Sequence, residues 1–237
     1  ESLPLGQHHL GASRVGRGGS GSRTGTQIAV PYYWNLAENY DATLTSRWYS
    51  SRGIRFDPEL RYLSERSRSQ LNVEYLVNDQ ETGEARGVID WRHVTRFAPR
   101  TLLLIDATGV SDNDYFEDCG VGFEGTSVQF VNRYIELRHD TAAWTLNARA
   151  QGYQVIDNTL AVEDEPYRIA PQLTALGRWR DFAGGLSGSV FAEATNFQRE
   201  LGPQGVRLDA EPSLEWRVDR NGGFLAAGAA YRYTQYL

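Results

Sequence analysis

Alternation of apolar and polar residues at a period of two constrains the fold of this chain more than any other feature. The clearest stretch is residues 206–217, where the even positions are Val, Leu, Ala, Pro, Leu and Trp and the odd positions are Arg, Asp, Glu, Ser, Glu and Arg. Successive side chains of a strand point to opposite faces, so this segment has one apolar and one charged face. Such an apolar face is either buried in a soluble sandwich or exposed to lipid on a transmembrane barrel.

Similar stretches recur along most of the chain, with no helical pattern between them, and predict about twelve strands. The approximate spans are 26–36, 42–50, 54–64, 69–78, 87–95, 100–109, 127–138, 142–154, 167–178, 185–197, 205–217 and 223–236. Short connections such as 38–41 alternate with long ones such as 110–126, as periplasmic turns and outer loops do in bacterial barrels. The sequence therefore predicts an all-β fold, an antiparallel transmembrane β-barrel segment that is part of a larger barrel.

Composition is compatible with this fold. A length of 237 residues suits one large all-β domain, and no apolar run approaches the roughly 18 residues of a membrane helix. The mean hydropathy of −0.49 is typical of soluble proteins, but averaging hides the apolar face when half of each strand is polar. The net charge of −6 argues against a nucleic-acid partner. The single Cys119 cannot form an internal disulfide, and neither a metal site nor a cofactor is predicted.

The first 25 residues differ from the rest because they do not alternate. They contain a run rich in Gly, Ser and Arg between Arg14 and Arg23. We expect residues 1–25 to be a disordered or non-native lead and residues 26–237 to be the first half of an outer-membrane barrel domain. The chain opens at Glu1 without an initiator methionine or a signal peptide, which suggests a processed chain or an internal fragment.

Charged residues occupy the faces opposite the apolar ones, where we expect them to line a wet lumen. They are Arg47, Arg55, Asp57, Glu59, Arg61, Glu74, Arg149, Arg168, Arg207, Asp209 and Glu211. The pairs Asp57 with Glu59 and Asp209 with Glu211 have the spacing of acid–base carboxylates. Neighbouring arginines explain them more simply as balanced lumen charges. The four histidines, His8, His9, His93 and His139, have no accompanying Ser or Cys nucleophile motif, so no enzyme is predicted.

Four prolines fall inside predicted strands, where each removes a donor from the hydrogen-bond ladder. For Pro58, Pro171 and Pro212 we expect a bulge or another local irregularity. Pro31 lies near the start of the barrel, and a weakened seam between strands is the sharper expectation there.

Four motifs in this order resemble the organic solvent tolerance family, the LPS-assembly proteins LptD. They are VPYYWNLAENYDATLT at 30–45, Arg52 and Gly53 followed by ELRYL at 59–63, the loop VSDNDYF at 110–116, and APQL at 170–173 with Glu211 and Pro212. Together they cover residues 26 to about 215. Each motif alone is weak, and their order makes the resemblance specific.

The resemblance implies a component of the Gram-negative translocon that inserts lipopolysaccharide (LPS) into the outer leaflet of the outer membrane. A barrel of roughly 26 strands, plugged by a partner lipoprotein, then releases LPS sideways, and Pro31 lies at the lateral gate. The implied periplasmic bridge reaches the barrel through a jelly-roll domain that this sequence lacks. The family's disulfide cysteines are absent too, and its first barrel strand, expected at residues 9–22, is not recognisable.

Other classes of protein remain open at this point. A passive porin or receptor barrel shares the alternation but not the ordered motifs. An outer-membrane phospholipase needs an outward Ser and His pair, which is not found. A soluble β-sandwich binding module is the third alternative.

Overall fold

The computed structural model describes residues 17–21, 23–119 and 129–237. It consists of antiparallel strands with one short α-helix and one 3-10 helix, Val162–Asp164. The helix is α1 Tyr115–Cys119. The strands are β1 Arg17–Gly21, β2 Gly25–Ala37, β3 Tyr40–Tyr49, β4 Gly53–Leu63, β5 Ser67–Leu76, β6 Arg86–Ala98, β7 Thr101–Val110, β8 Phe130–Asp140, β9 Trp144–Val155, β10 Arg168–Ala183, β11 Leu186–Gln198, β12 Gly205–Arg220, β13 Gly223–Ala230 and β14 Tyr233–Tyr236.

Strand order follows the chain. The sheet order runs from β1 to β13, and β14 pairs with β12 beside β13. All twelve predicted spans correspond to strands, the last one being divided into β13 and β14. The predicted all-β, antiparallel fold class is confirmed. In the part of the chain that the structure describes, no helix is long and apolar enough to cross a membrane.

The chain divides into two compact units. Unit 1 comprises residues 1–64, 69–90 and 110–127, and unit 2 comprises residues 65–68, 91–109 and 128–237.

In unit 1, strand β4 shows how the two faces differ. Ile54, Phe56 and Leu60 are 50%, 37% and 44% exposed, whereas Arg55 on the other face is 1% exposed. A contiguous row of exposed apolar side chains is typical of a surface that contacts lipid or another protein. On β4, Ile54, Phe56 and Leu60 are thus exposed and Arg55 is covered, whereas Arg61, further along the polar face, is exposed.

In unit 2, strand β12 has the same division. Leu214 is 54% exposed and Trp216 is 40% exposed, while Asp209 on the opposite face is 5% exposed. The β11–β12 register is uninterrupted from Leu186 opposite Trp216 to Phe197 opposite Gly205.

The structure corrects the expectation for the lead where it describes it. Arg17–Gly21 forms β1, which pairs with β2 from Arg17 opposite Ala29 to Gly21 opposite Gly25. Three of its five residues are Gly, which has low strand propensity, so the composition of this segment does not predict a strand. The segment is extended because it pairs with β2. Residues 1–16 lie outside the described residues.

Two of the strand prolines lie at irregularities, as expected. The register of β10 with both neighbours shifts between Ile169 and Gln172, on either side of Pro171. Pro212 lies opposite the break between β13 and β14, where its carbonyl accepts a hydrogen bond from the Tyr231 N–H at 3.1 Å. At both prolines the backbone N–H is missing at a point where the regular hydrogen-bond ladder between strands is already interrupted.

Candidate functional site

Unit 1 contains a group of charged side chains that bind the β7–β8 connection to three neighbouring strand ends. We call Arg52, Asp79, Arg86, Asp112 and Asp118 the anchoring cluster. Arg52 ends the β3–β4 turn, Asp79 and Arg86 flank the β5–β6 loop, and the other two lie after β7. Residues far apart in sequence therefore meet at one place.

Local geometry places the first two members of the anchoring cluster. Gly53 follows Arg52 with a φ of 101°, a conformation that favours glycine, so the Arg-Gly pair makes the turn. The carboxylate of Asp79 accepts a hydrogen bond from the Glu81 N–H at 3.0 Å, which is an Asx-type turn. The Asp79 carbonyl accepts another from the Gly83 N–H at 2.7 Å. These turns fix the backbones that carry the charges.

Cations and anions alternate within the anchoring cluster. Oδ2 of Asp79 lies 2.9 Å from Nη1 of Arg52 and 2.8 Å from Nη1 of Arg86. Asp118 binds the same two arginines, at 3.1 Å from Nη2 of Arg52 and 2.8 Å from Nη1 of Arg86. Asp112 lies 2.5 Å from Nη2 of Arg86. Each arginine therefore links a loop carboxylate of β5–β6 to one of β7–β8.

Burial makes this cluster energetically important. Asp79 is 0% exposed, and Arg52 and Arg86 are each 4% exposed. Desolvation acts to raise the pKa of Asp79, but hydrogen bonds from Arg86, the Glu81 N–H and Arg52 outweigh it and hold that pKa below its ordinary value. Removing one member of a buried ion-pair network leaves uncompensated charge and costs about 3–5 kcal/mol.

A second group beside the first contacts α1 directly. Nη1 of Arg55 on β4 lies 2.8 Å from Oε2 of Glu74 and donates a hydrogen bond to the Cys119 carbonyl at 3.1 Å. The hydroxyl of Tyr115 donates to the same Glu74 oxygen at 2.8 Å. Arg55 also lies 2.7 Å from Asp57. Helix α1 thus packs on the polar face of β4 and β5 and covers it.

The Cys119 thiol has a packing role. It is 1% exposed, and burial raises its pKa to about 11 despite nearby Arg86 and Arg52. The thiol is therefore neutral near pH 7 and a poor nucleophile. Within residues 17–21, 23–119 and 129–237, no group of three or more His, Cys, Asp or Glu side chains is arranged so that it could hold a metal ion.

The structure brings many of the predicted lumen residues together as ion pairs. In unit 1, Arg47 lies 2.5 Å from Asp57, and Arg61 lies 2.8 Å from Asp41 and 3.6 Å from Glu59. In unit 2, the pairs are Arg149 with Glu136 at 3.8 Å, Arg207 with Glu193, and Asp209 with Arg232 at 2.5 Å. Asp209 therefore pairs across to the segment between β13 and β14.

Two predicted lumen residues are not brought into such pairs. Arg168, the first residue of β10, is exposed, and Glu211 is half-buried on β12. For both of them, no ion pair is found among the described side chains. Because Asp57, Glu59 and Asp209 each pair with an arginine, the geometry favours charge balance over catalysis for these three carboxylates.

Pro31 lies in β2 opposite Thr45 of β3. The carbonyl of Thr26 accepts a hydrogen bond from the Ser50 N–H, so even residues of β2 direct their backbone groups towards β3. The nitrogen of Pro31, five residues later in an uninterrupted register, is therefore directed towards the β1 side. It lies two residues beyond Ala29, the last β2 residue whose pairing with β1 the structure describes.

Comparison with known proteins identifies the family. The model of the family LptD, LPS transport system D, matches residues 84–237. The chain belongs to this family.

Curated LptD relatives extend the match over nearly the whole chain. The LPS-assembly protein LptD of Nitrosococcus oceani is 32% identical over 237 residues, covering 99% of this chain and 32% of that protein. Those of Alkalilimnicola ehrlichii and Idiomarina loihiensis are 37% and 33% identical, covering 90% and 92% of this chain and 28% of each relative. The chain thus spans about a third of the length of these relatives.

Sequence reasoning quoted two of the LptD motifs without assigning their roles. Arg52 and Gly53 make the β3–β4 turn, and the loop motif at 110–116 contributes Asp112 and Tyr115. It missed Asp79, Arg86 and Asp118 altogether. Their partners are 7 to 66 residues away along the chain, so no local pattern pairs them. The sequence showed only that the β3–β4 turn, the β5–β6 loop and the connection after β7 each carry charged residues. It did not show that these charges meet.

Proposed function

We propose that this chain is part of the outer-membrane LptD barrel that delivers LPS to the outer leaflet of a Gram-negative bacterium. The observation that carries the proposal is the family match together with the exposed apolar face of the strands. The family match supports a role in LPS transport. The exposed apolar face supports a location in the membrane, because lipid can cover it. A passive porin shares the face pattern but has no support from the family match.

The outward face of β2 supports the membrane location most clearly. Tyr32 is 66% exposed and Trp34 is 59% exposed, and they alternate with half-buried Tyr33. Large aromatic side chains are enriched where a barrel meets the membrane interface. Lipid covers these rings at no cost, whereas water would make the same surface unfavourable.

Pro31 supports sideways release. Its nitrogen cannot donate a hydrogen bond, and it is directed towards the β1 side of β2. In hydrocarbon an unsatisfied backbone group costs several kcal/mol, so a strand edge without a donor is a weak seam. We place the lateral gate at Pro31 and keep the charged face of the strands as the polar lining.

The remaining parts of the translocon follow from the family and are proposed here as partners. They are a plug lipoprotein inside the complete barrel and a periplasmic LPS bridge that reaches it through a jelly-roll domain. LPS itself is the substrate, and its sugar chain requires a polar interior. The ion-paired residues of the covered face, such as Arg47 with Asp57, provide such a surface.

Depletion and complementation test the function. A Gram-negative strain depleted of its own LptD is supplied with the full-length protein that contains this chain, and newly made LPS is measured at the cell surface. Restored delivery is the expected result. Normal insertion of the protein into the outer membrane without any restored delivery would contradict the proposal.

A further inference from the structure

Two arginines of unit 2 lie on the outward, apolar face of the strands, on either side of Gly152. Gly152 shares this face with the exposed Leu146, because the β8–β9 register is uninterrupted between them. Arg133 of β8 lies opposite Gly152. Cγ of Arg168 on β10 lies 3.9 Å from the position that a Cβ atom of Gly152 would occupy. Both arginine side chains therefore border one glycine, which has no side chain to separate them.

A register shift in β10 brings Arg168 to this face. The pairing advances three residues along β10, from Ile169 to Gln172, but two residues along β9. Such a bulge reverses the alternation of faces, because side chains alternate at a period of two. Arg168 therefore shares the outward face with Leu173, whereas an unbroken strand would place it on the face of Gln172.

Neither arginine is paired with a carboxylate in the part of the chain that the structure describes. Nε of Arg133 donates a hydrogen bond to the Thr108 carbonyl at 2.9 Å, and Nη2 donates to the side-chain oxygen of Gln154. These two contacts orient the guanidinium without neutralising it, and they leave further N–H donors for a ligand. Both arginines are exposed. The pair is thus a positive patch on an otherwise apolar face.

The level of the two arginines along the strands fits a lipid headgroup. Arg168 is the first residue of β10, and Arg133 is three residues from the start of β8. These strand ends join long connections, which lie on the outer side in bacterial barrels. A charge on the lipid face is costly at the bilayer midplane and tolerated near the interface. The arginines are therefore placed where the headgroups of the outer leaflet lie.

An apolar depression lies further along the same face. Its volume is about 600 Å³, within the range of sites that hold small molecules. Leu137 lies four residues after Arg133, roughly 13 Å along β8. Large and small side chains alternate in one row across the depression, namely Leu137, Ala148, Leu173, Ala194 and Leu208. The small residues leave space between the large ones that a hydrocarbon chain can fill.

We propose that Arg133, Arg168 and this depression bind one phosphorylated lipid of the outer leaflet, with a phosphate between the two arginines and an acyl chain in the depression. The arginine Cα atoms are separated by two strand spacings, roughly 10 Å, so both long side chains can reach one phosphate. Guanidinium groups bind phosphate through several charge-assisted hydrogen bonds. This inference rests on the membrane location in the proposed function and does not involve the lateral gate.

Photo-cross-linking of the full-length protein in vesicles tests the site. Ile135 is 47% exposed and lies between Arg133 and Leu137 on the outward face, so it is replaced by photoreactive p-benzoylphenylalanine. The vesicles contain phosphatidylcholine and a small fraction of lipid A, either phosphorylated or with its phosphates removed. Phosphorylated lipid A should be captured several-fold more than the dephosphorylated form. Equal capture of both forms would overturn the proposal.

Arg133→Gln and Arg168→Gln should each lower the capture of phosphorylated lipid A about five-fold, the effect of one arginine near an anionic lipid surface. Arg138→Gln is the matched control, because Arg138 lies on the same strand but pairs with Asp140 at its other end. Capture should be unchanged in this control. Ala194→Leu fills the depression without altering charge and should also lower capture.

Unchanged capture in both arginine variants, or an equal loss in Arg138→Gln, would overturn the phosphate site. Unchanged capture in Ala194→Leu would overturn the placement of the acyl chain. Protease resistance of each variant in the vesicles verifies that it is folded and inserted. Surface delivery of LPS is measured separately in cells. Its absence would refute the proposed function, whereas the phosphate dependence of capture decides the lipid site.

Discussion

Arg86 on β6 binds both carboxylate oxygens of Asp112, with Nη2 at 2.5 Å from Oδ1 and Nε at 2.9 Å from Oδ2. This bidentate contact joins the first residue of β6 to the connection that follows β7. A planar guanidinium fixes the direction as well as the distance of its partner. Residues 111–119, the first part of the β7–β8 connection, are therefore held in a defined place against the polar face of the strands.

Asp79→Asn should destabilise unit 1 strongly, because Asp79 is the buried anion shared by Arg52 and Arg86. We expect the free energy of unfolding of the full-length protein to fall by about 3–5 kcal/mol. Denaturant unfolding in detergent or lipid measures it. Asp219→Asn is the control, since Asp219 pairs with Arg217 at the exposed end of β12, and it should change the free energy of unfolding little. Equal losses in the two variants would contradict the importance of burial.

Acid should weaken the anchoring cluster. The pKa values of Asp79 and Asp112 are both lowered, with burial opposing and hydrogen bonds from Arg86 contributing to the net decrease. A carboxyl whose pKa is lower in the folded state contributes stability that is present above its unfolded pKa, about 4, and is lost as the pH falls through the folded value.

The measurement is the free energy of unfolding as a function of pH, compared between the wild-type protein and Asp79→Asn. Stability of the wild type should be flat near neutral pH and decline below about pH 4. The variant lacks one of the two titrating groups, so its decline should be shallower. Identical pH profiles would show that Asp79 is not linked to stability in this way.

The two faces of β3 should respond differently to a charge. Leu44 is 39% exposed on the apolar side, and its neighbour Thr45 lies on the covered side. Leu44→Arg should cost about 2–4 kcal/mol if Leu44 lies near the bilayer midplane, because the guanidinium then meets hydrocarbon. Thr45→Arg places the same charge towards polar partners and should cost less. Folding free energies of both variants in bilayers provide the comparison, and a larger loss for Thr45→Arg would reverse the assignment of faces.

The strands could be predicted from the sequence because a period of two is a local signal. It located every span from 26 to 236, and it correctly placed irregularities at Pro171 and Pro212, whereas the β3–β4 register runs past Pro58 without a shift. Strand β1 was not predicted, because three of its five residues are glycines and show no alternation of apolar and polar side chains. Its pairing comes from β2, which is a tertiary effect on a sequence with weak preference of its own.

The anchoring cluster could not be predicted for a different reason. Asp79 lies in the β5–β6 loop, Arg86 begins β6 and Asp118 lies in α1, so their contacts depend on how the two connections fold over the strands. Arg55 was expected to face a wet lumen, but it is 1% exposed beneath α1. Alternation gives the face on which a residue lies, but it does not show what covers that face.

Pro31→Ala in the full-length protein tests the lateral gate most directly. Restoring the donor adds one ladder hydrogen bond, worth roughly 1 kcal/mol in water and more where water is absent. At equal protein level, delivery of LPS to the cell surface should slow and sensitivity to large hydrophobic antibiotics should rise. Pro171→Ala, at an irregularity between β9 and β11, should affect delivery much less. Delivery at the wild-type rate in Pro31→Ala, or equal impairment in Pro171→Ala, would contradict a lateral gate at Pro31.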